Sequence, residues 1–172
     1  MTRGLRLLLD RWRLAALASS AVMLAAAHAF ETFGGLAPCA LCLRQREVYW
    51  AAAAVALACM IIVRLPGGPR WREASCWMLG LIFLGGAGLA AYHAGVEWKF
   101  WPGPTTCSSA GATGVQAADL QNLLAGARIA PPACDKPAWV FLGLSMAGWN
   151  TLVSLKLSVL SVCAALRERS KR

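Results

Sequence analysis

Four long apolar stretches, separated by two short polar breaks and one long one, organise this chain of 172 residues. Leu14 to Phe30 is uncharged over 17 residues, about 26 Å as a helix and near the lower limit for crossing a bilayer. The second stretch lies within Arg44 to Val63, with an uncharged run from Val48. The third falls between Glu73 and Glu97, and the fourth within Ala138 to Leu166. The expected spans are 14–30, 44–63, 74–94 and 142–165. Ala51 to Ala54, Ala56 and Ala58 on the second, and Gly80, Gly85, Gly86 and Gly88 on the third, are small residues that let helices approach closely. The pattern predicts an all-α, four-transmembrane-helix bundle, a single membrane domain over 1–172, with outer loops at 31–43 and 95–141.

The breaks carry their own signals. Residues 31–43 contain Gly34, Gly35 and Pro38, and the turn from Arg64 to Arg72 contains Pro66-Gly67-Gly68-Pro69. The long polar segment, 94–136, opens with Trp98, Phe100 and Trp101, breaks at Pro102-Gly103-Pro104, and carries Cys107 and Cys134. Between those cysteines Leu120, Leu123, Leu124 and Ala127 recur at helical spacing. They predict a short amphipathic helix lying apolar side down on the membrane. The first stretch also admits a signal-peptide reading, with a basic start and Ala27-His28-Ala29 as a cleavage site. Either reading leaves Cys39 on the same side, and a membrane span is the one expected.

Composition excludes an ordinary soluble domain. Apolar residues make up 58% and charged residues 15%, against about 45–50% and 25% in soluble domains. The net charge of +9 does not point to nucleic acid, because the basic residues form no stripe with interleaved aromatics. They stand at the ends of apolar runs. Arg3, Arg6, Arg11 and Arg13, then Arg64, Arg70 and Arg72, then Arg167, Arg169, Lys171 and Arg172 fall on one side of a four-span chain. The long loop has only Lys99, Arg128 and Lys136, balanced by Glu97, Asp119 and Asp135. The positive-inside rule puts both termini in the cytoplasm and both cysteine-bearing loops outside. Tyr49, Trp50, Tyr92, Trp98, Trp101 and Trp139 are expected at the outer boundary, and Trp12, Trp71 and Trp77 at the inner one.

Seven cysteines sort by position. Cys59, Cys76 and Cys163 lie in or beside spans and read as small apolar fillers. Cys39, Cys42, Cys107 and Cys134 fall on the oxidising side and are expected in disulfides. A Cys107–Cys134 bridge alone would be a staple, stabilising by roughly 3.5 kcal/mol in the chain-entropy model. A Cys39–Cys42 bridge closes almost no loop and stabilises little. Zinc on four cysteines is disfavoured, because the second half lacks a close spacing and the compartment disfavours thiolates. A C-x-x-C at a helix N-terminus instead favours redox work, since unpaired N–H groups and the helix dipole stabilise a thiolate. Arg46 stands one turn beyond Cys42 and reaches the same helix surface. Arg44 is as well read as a snorkelling cation.

With these residues in view, the chain resembles the bacterial disulfide bond formation protein B (DsbB) membrane oxidoreductases over nearly its whole length. The resemblance rests on Pro38-Cys39-Ala40-Leu41-Cys42 followed by Arg46. It also rests on Pro102-Gly103-Pro104 ahead of Cys107, and on Cys134-Asp135 followed by the run from Trp139 to Asn150. It implies a bacterial inner-membrane thiol oxidase supporting periplasmic protein folding. A reduced thioredoxin-like partner of the DsbA type attacks Cys107, the released Cys134 attacks Cys39, and Cys42 faces a bound quinone. The resemblance makes Arg46 the group stabilising negative charge there and places His93 near the quinone; a hydrogen-bonded interfacial histidine reads His93 as well, and His28 better. Ubiquinone and menaquinone remain equally open.

A lipid-soluble oxidant also follows from chemistry, because ordinary protein disulfides are too weakly oxidising to regenerate such a partner. No haem C-x-x-C-H, dinucleotide fingerprint or P-loop is present, and no metal is expected. One enzyme rival is a quinone reductase of the vitamin K epoxide reductase type, whose C-x-x-C usually comes late in the bundle. A non-enzymatic scaffold with a braced loop is the rival outside enzymes. Lys156, inside the fourth span, is expected either to mark an early helix end or to face Ser154 or Ser158.

Overall fold

A computed structural model describes residues 3–64, 68–104 and 133–171. A short helix α1 (Arg3–Asp10) leads into α2 (Trp12–Thr32). Helix α3 (Ala40–Ile62) and helix α4 (Gly68–Glu97) follow. A two-stranded hairpin, β1 (Val140–Phe141) and β2 (Leu144–Ser145), precedes α5 (Met146–Arg169). Helices α2, α3, α4 and α5 are the four that are long and apolar enough to cross a membrane. The amphipathic helix expected around Leu120 to Ala127 lies outside the described residues.

The packing is that of a membrane bundle. Val22, Leu57, Ile61, Leu81 and Leu155 are exposed, whereas Ser20, Ser154, Ser158 and Ser161 are buried. A soluble domain would invert this; in lipid, small and polar side chains face inward and large apolar ones face the acyl chains. The most extensive contact joins α4 to α5. There Ser158 Oγ donates to the Gly80 carbonyl at 3.0 Å. A Cβ on Gly80 would sit 3.3 Å from that of Ser161. The core runs through Trp12, Ala16 and Leu24 of α2, Tyr49, Ala52 and Ala56 of α3, Leu79 and Phe83 of α4, and Leu157 and Ala164 of α5.

Several expectations change. Helix α5 starts at Met146, not 142, because Leu142 (φ 51°) and Gly143 (φ 78°) form the two-residue turn of the hairpin, the pairing of positive-φ positions that matches strand twist. Helix α2 runs to Thr32, so Glu31 belongs to a helix and not to the loop. Tyr49 and Trp12 are buried core residues and not members of an aromatic belt; Trp12 Nε1 donates to Ser161 Oγ at 2.9 Å. Gly85 and Gly88 would meet nothing within 4 Å, so they do not serve helix contact. Cys163 is exposed, unlike buried Cys59 and Cys76. Helix α5 does not stop early at Lys156. That side chain is exposed, while Ser158 bonds Gly80 and Ser154 lies beside Tyr49. Its long stem suits snorkelling along the lipid-facing surface.

Candidate redox site

The site is built on the start of α3. Gly35 turns the chain at φ 63°, and Cys39 becomes the N-cap residue in extended conformation, its sulfur accepting from the Cys42 N–H. An N-cap thiol satisfies one of the unpaired donors of the first turn. The disulfide expected between Cys39 and Cys42 is open here: both are free cysteines, and Cys39 Sγ donates to Cys42 Sγ at 2.8 Å. That hydrogen bond, reinforced by burial, makes the Cys39 thiol hold its proton more tightly than an ordinary cysteine. Cys42, the acceptor, sits in the first turn of α3, where the helix dipole favours negative charge.

A line of buried polar side chains runs from this pair into the bundle. His93 Nε2 lies 3.7 Å from Cys39 Sγ. Gln45 Nε2 is 2.7 Å from His93 Nδ1, Asn150 Nδ2 donates to Gln45 Oε1 at 2.5 Å, and Tyr49 donates to Asn150 Oδ1 at 2.5 Å. The Gln45 amide nitrogen has only protons to give, so Nδ1 of His93 accepts, and the proton of the neutral ring sits on Nε2. That proton faces the Cys39 sulfur and, at 3.9 Å, Glu97 Oε1. Glu97 is buried and is held by Ser145, whose oxygen also caps α5 by accepting from Gly148 N–H at 3.1 Å. His93 is therefore a buried residue packed beside Cys39, not an interfacial one. His28 is exposed, 3.8 Å from Glu31.

Arg46 reaches toward α2. Its guanidinium pairs with Glu31 at 2.5 Å and donates to the Ala27 carbonyl at 3.1 Å. Arg44 pairs with Glu47 on the exposed face. Cys134 is disulfide-bonded and buried in one cluster with Cys39, Leu41 and Val96. Cys107 lies outside the described residues. Lys99, at φ 63°, holds the neighbouring Asp135 through Oδ2 at 2.5 Å, and this bond keeps the Asp135 carboxyl below its usual range.

Arg46, Cys42, His93 and Glu97 all line one cavity of about 440 Å³, with Phe30 and Trp139 among its apolar walls. Phe30 meets Trp139 at 5.4 Å between ring centroids, and Trp139 stacks on Phe141 at 5.6 Å. A flat, apolar ring of a few polar atoms fits this space and donor set. A metal fits less well. Cys39, Cys42 and His93 bring ligand atoms within 4.8 Å. Yet 2.8 Å between the sulfurs is shorter than the roughly 3.7 Å edge set by 2.3 Å Zn–S bonds.

Sequence reasoning did not single out Gln45, Tyr49 or Asn150 as site residues, nor Glu31 and Glu97. A glutamine and an asparagine inside apolar spans were the available signal.

The family model described as "Disulfide bond formation protein DsbB" matches residues 10–164. "Disulfide bond formation protein B" of Methylococcus capsulatus (strain ATCC 33009 / NCIMB 11132 / Bath) is 33% identical over 146 residues, 83% of this chain and 85% of its own. "Disulfide bond formation protein B 2" of Pseudomonas entomophila (strain L48) is 33% identical over 159 residues, 91% of each chain. The Marinobacter nauticus (strain ATCC 700491 / DSM 11845 / VT8) protein, again "Disulfide bond formation protein B", is 32% identical over 156 residues, 87% of this chain and 88% of its own.

Proposed function

Because the chain belongs to the DsbB family of membrane disulfide-bond-forming oxidoreductases, we propose that it reoxidises a periplasmic thioredoxin-like dithiol oxidase of the DsbA type at the expense of a membrane quinone. Two electrons and two protons leave the partner's thiols, and the four cysteines Cys107, Cys134, Cys39 and Cys42 pass the electrons on. The observation that carries this reading is the Cys39–Cys42 pair. It sits at the N-terminus of a membrane helix, opens on an apolar cavity, and packs against disulfide-bonded Cys134.

The relay starts from the oxidised pair, with Cys39 and Cys42 joined as a disulfide: the partner's thiolate attacks Cys107 and breaks the Cys107–Cys134 bond, and the freed Cys134 attacks Cys39 and expels Cys42 as the thiolate. Cys42 then carries the negative charge, which the α3 N-terminus favours. A quinone held in the cavity would supply the oxidising power, as an acceptor of two electrons and two protons. Phe30 and Trp139 would hold its ring, with Arg46 and His93 addressing its oxygens. Arg46, fixed by Glu31, is a positioned cation on the cavity that Cys42 also lines. The Nε2 proton of His93 steadies the Cys39 sulfur as it gains or loses charge. Glu97, buried beside it, is placed to exchange the proton that Cys39 releases. The charge asymmetry along the chain supports both termini in the cytoplasm and both redox loops in the periplasm of the bacterial inner membrane, the whole chain acting as a single membrane domain.

The test is quinone reduction by the purified protein, with candidate reduced partners and with ubiquinone and menaquinone. Cys42→Ser is expected to abolish turnover and accumulate partner-linked protein; retained turnover would make the chain a scaffold. Cys134→Ser is expected to trap the partner on Cys107. An adduct mapped to Cys39 would reverse the order of transfer.

A further inference from the structure

The end of the bundle opposite Cys39 holds a second cavity, of about 290 Å³, between the start of α2, the end of α3 and the start of α4. Met60 and Val63 give it an apolar floor, and Arg11, Arg13, Arg64 and Arg72 stand around it. The acid on its lining, Asp10, is already committed. It accepts from Arg167 Nε at 2.9 Å and Nη2 at 3.0 Å, and from Lys171 Nζ at 2.6 Å. Among the described residues none of the four arginines has an ion pair. Cations scattered around a helix end would need only the headgroup layer at large. Here Arg11 and Arg13 around the start of α2, Arg64 just after α3 and Arg72 in α4 line one partly apolar crevice, where four like charges call for an anion.

We propose that this crevice binds the phosphate of an anionic phospholipid, with an acyl chain lying along Met60 and Val63. Guanidinium forks match phosphate oxygens two at a time, and a basic pocket between membrane helices is a recurrent headgroup site. The apolar floor selects a lipid over a free ion, since inorganic phosphate would leave it uncovered.

The full chain, purified in phosphate-free detergent solution, is titrated with phosphatidylglycerol, phosphatidylcholine or inorganic phosphate. Retained lipid is counted by native mass spectrometry and thermal unfolding is followed in parallel. Phosphatidylglycerol is expected to be retained and to raise Tm, and the other two are not. The double variant R64Q/R72Q, at two exposed positions, is expected to bind it about thirtyfold more weakly. R169Q removes a charge at the same end outside the crevice and is expected to bind as the wild type. Unchanged binding in R64Q/R72Q, or equal retention of phosphatidylcholine, overturns the site. An equal Tm rise with inorganic phosphate overturns a lipid as its occupant.

Discussion

Gln45 shows how one side chain sets the chemistry of another. By donating to His93 Nδ1 it fixes the ring proton on Nε2, toward Cys39. Gln45→Leu frees Nδ1, and both tautomers become accessible. The nitrogen NMR spectrum of the neutral ring is expected to show one tautomer in the wild type and a mixture in the variant. A wild-type mixture would sink the lock. Reoxidation of Cys39–Cys42 is expected to slow about tenfold, the worth of one hydrogen bond. Stability is expected to fall by about 1–3 kcal/mol, because the Asn150 amide loses its acceptor in a buried site. Spacing alone marked the Cys39–Cys42 pair at a helix start and set Arg46 one turn beyond Cys42. The polar line was not, because Gln45 and Asn150 are 105 positions apart and only the fold brings them into contact.

Helix α4 gives the matching lesson at the level of elements. Its glycines look equivalent in sequence, yet Gly86 faces α3, where a Cβ would come within 2.8 Å of Val48 Cγ1, while Gly85 would meet nothing within 4 Å. Gly86→Ala is expected to destabilise by about 1–3 kcal/mol through overpacking. Gly85→Ala is expected to be neutral, or stabilising by up to about 1 kcal/mol through helix propensity. Thermal unfolding in detergent checks both, and equal effects would contradict the assignment of faces. Periodicity could not separate the two, since a span buried on one side and greasy on the other has an apolar residue at almost every position. The same limit displaced the start of α5. Val140 to Leu144 is as apolar as a helix entry, and a strand pair at the cavity mouth leaves no mark in hydropathy beyond Gly143. Hydropathy did read the four spans, because length and lack of charge are all that crossing requires.

Over the whole molecule, both ends of the bundle combine neutral hydrogen bonds with ion pairs. At the cysteine end, buried hydrogen bonds around Gln45 and Asn150 bring α3, α4 and α5 to one site, and the Arg46–Glu31 pair adds α2. At the opposite end Trp12 bonds Ser161, and charge ties the termini. Asp10, at the end of α1, accepts from Arg167 and Lys171 near the C-terminus, joining the first described helix to the last. The charge count located the cations at this end but could not say which acid they would meet, because that pairing depends on α1 folding back onto α5. The hydrogen bond from Arg167, then that from Lys171, hold the Asp10 carboxyl well below the usual carboxylate range. A group depressed in this way stabilises the fold above its unfolded value of about 4, and that contribution disappears as pH falls through the lower folded value. Asp10→Asn is therefore expected to lower Tm at pH 7. The difference from wild type should stay constant down to about pH 5 and shrink only below about pH 4. A difference that already fades between pH 7 and pH 5 would mean that the carboxylate is not held low and that the two termini are joined by packing alone.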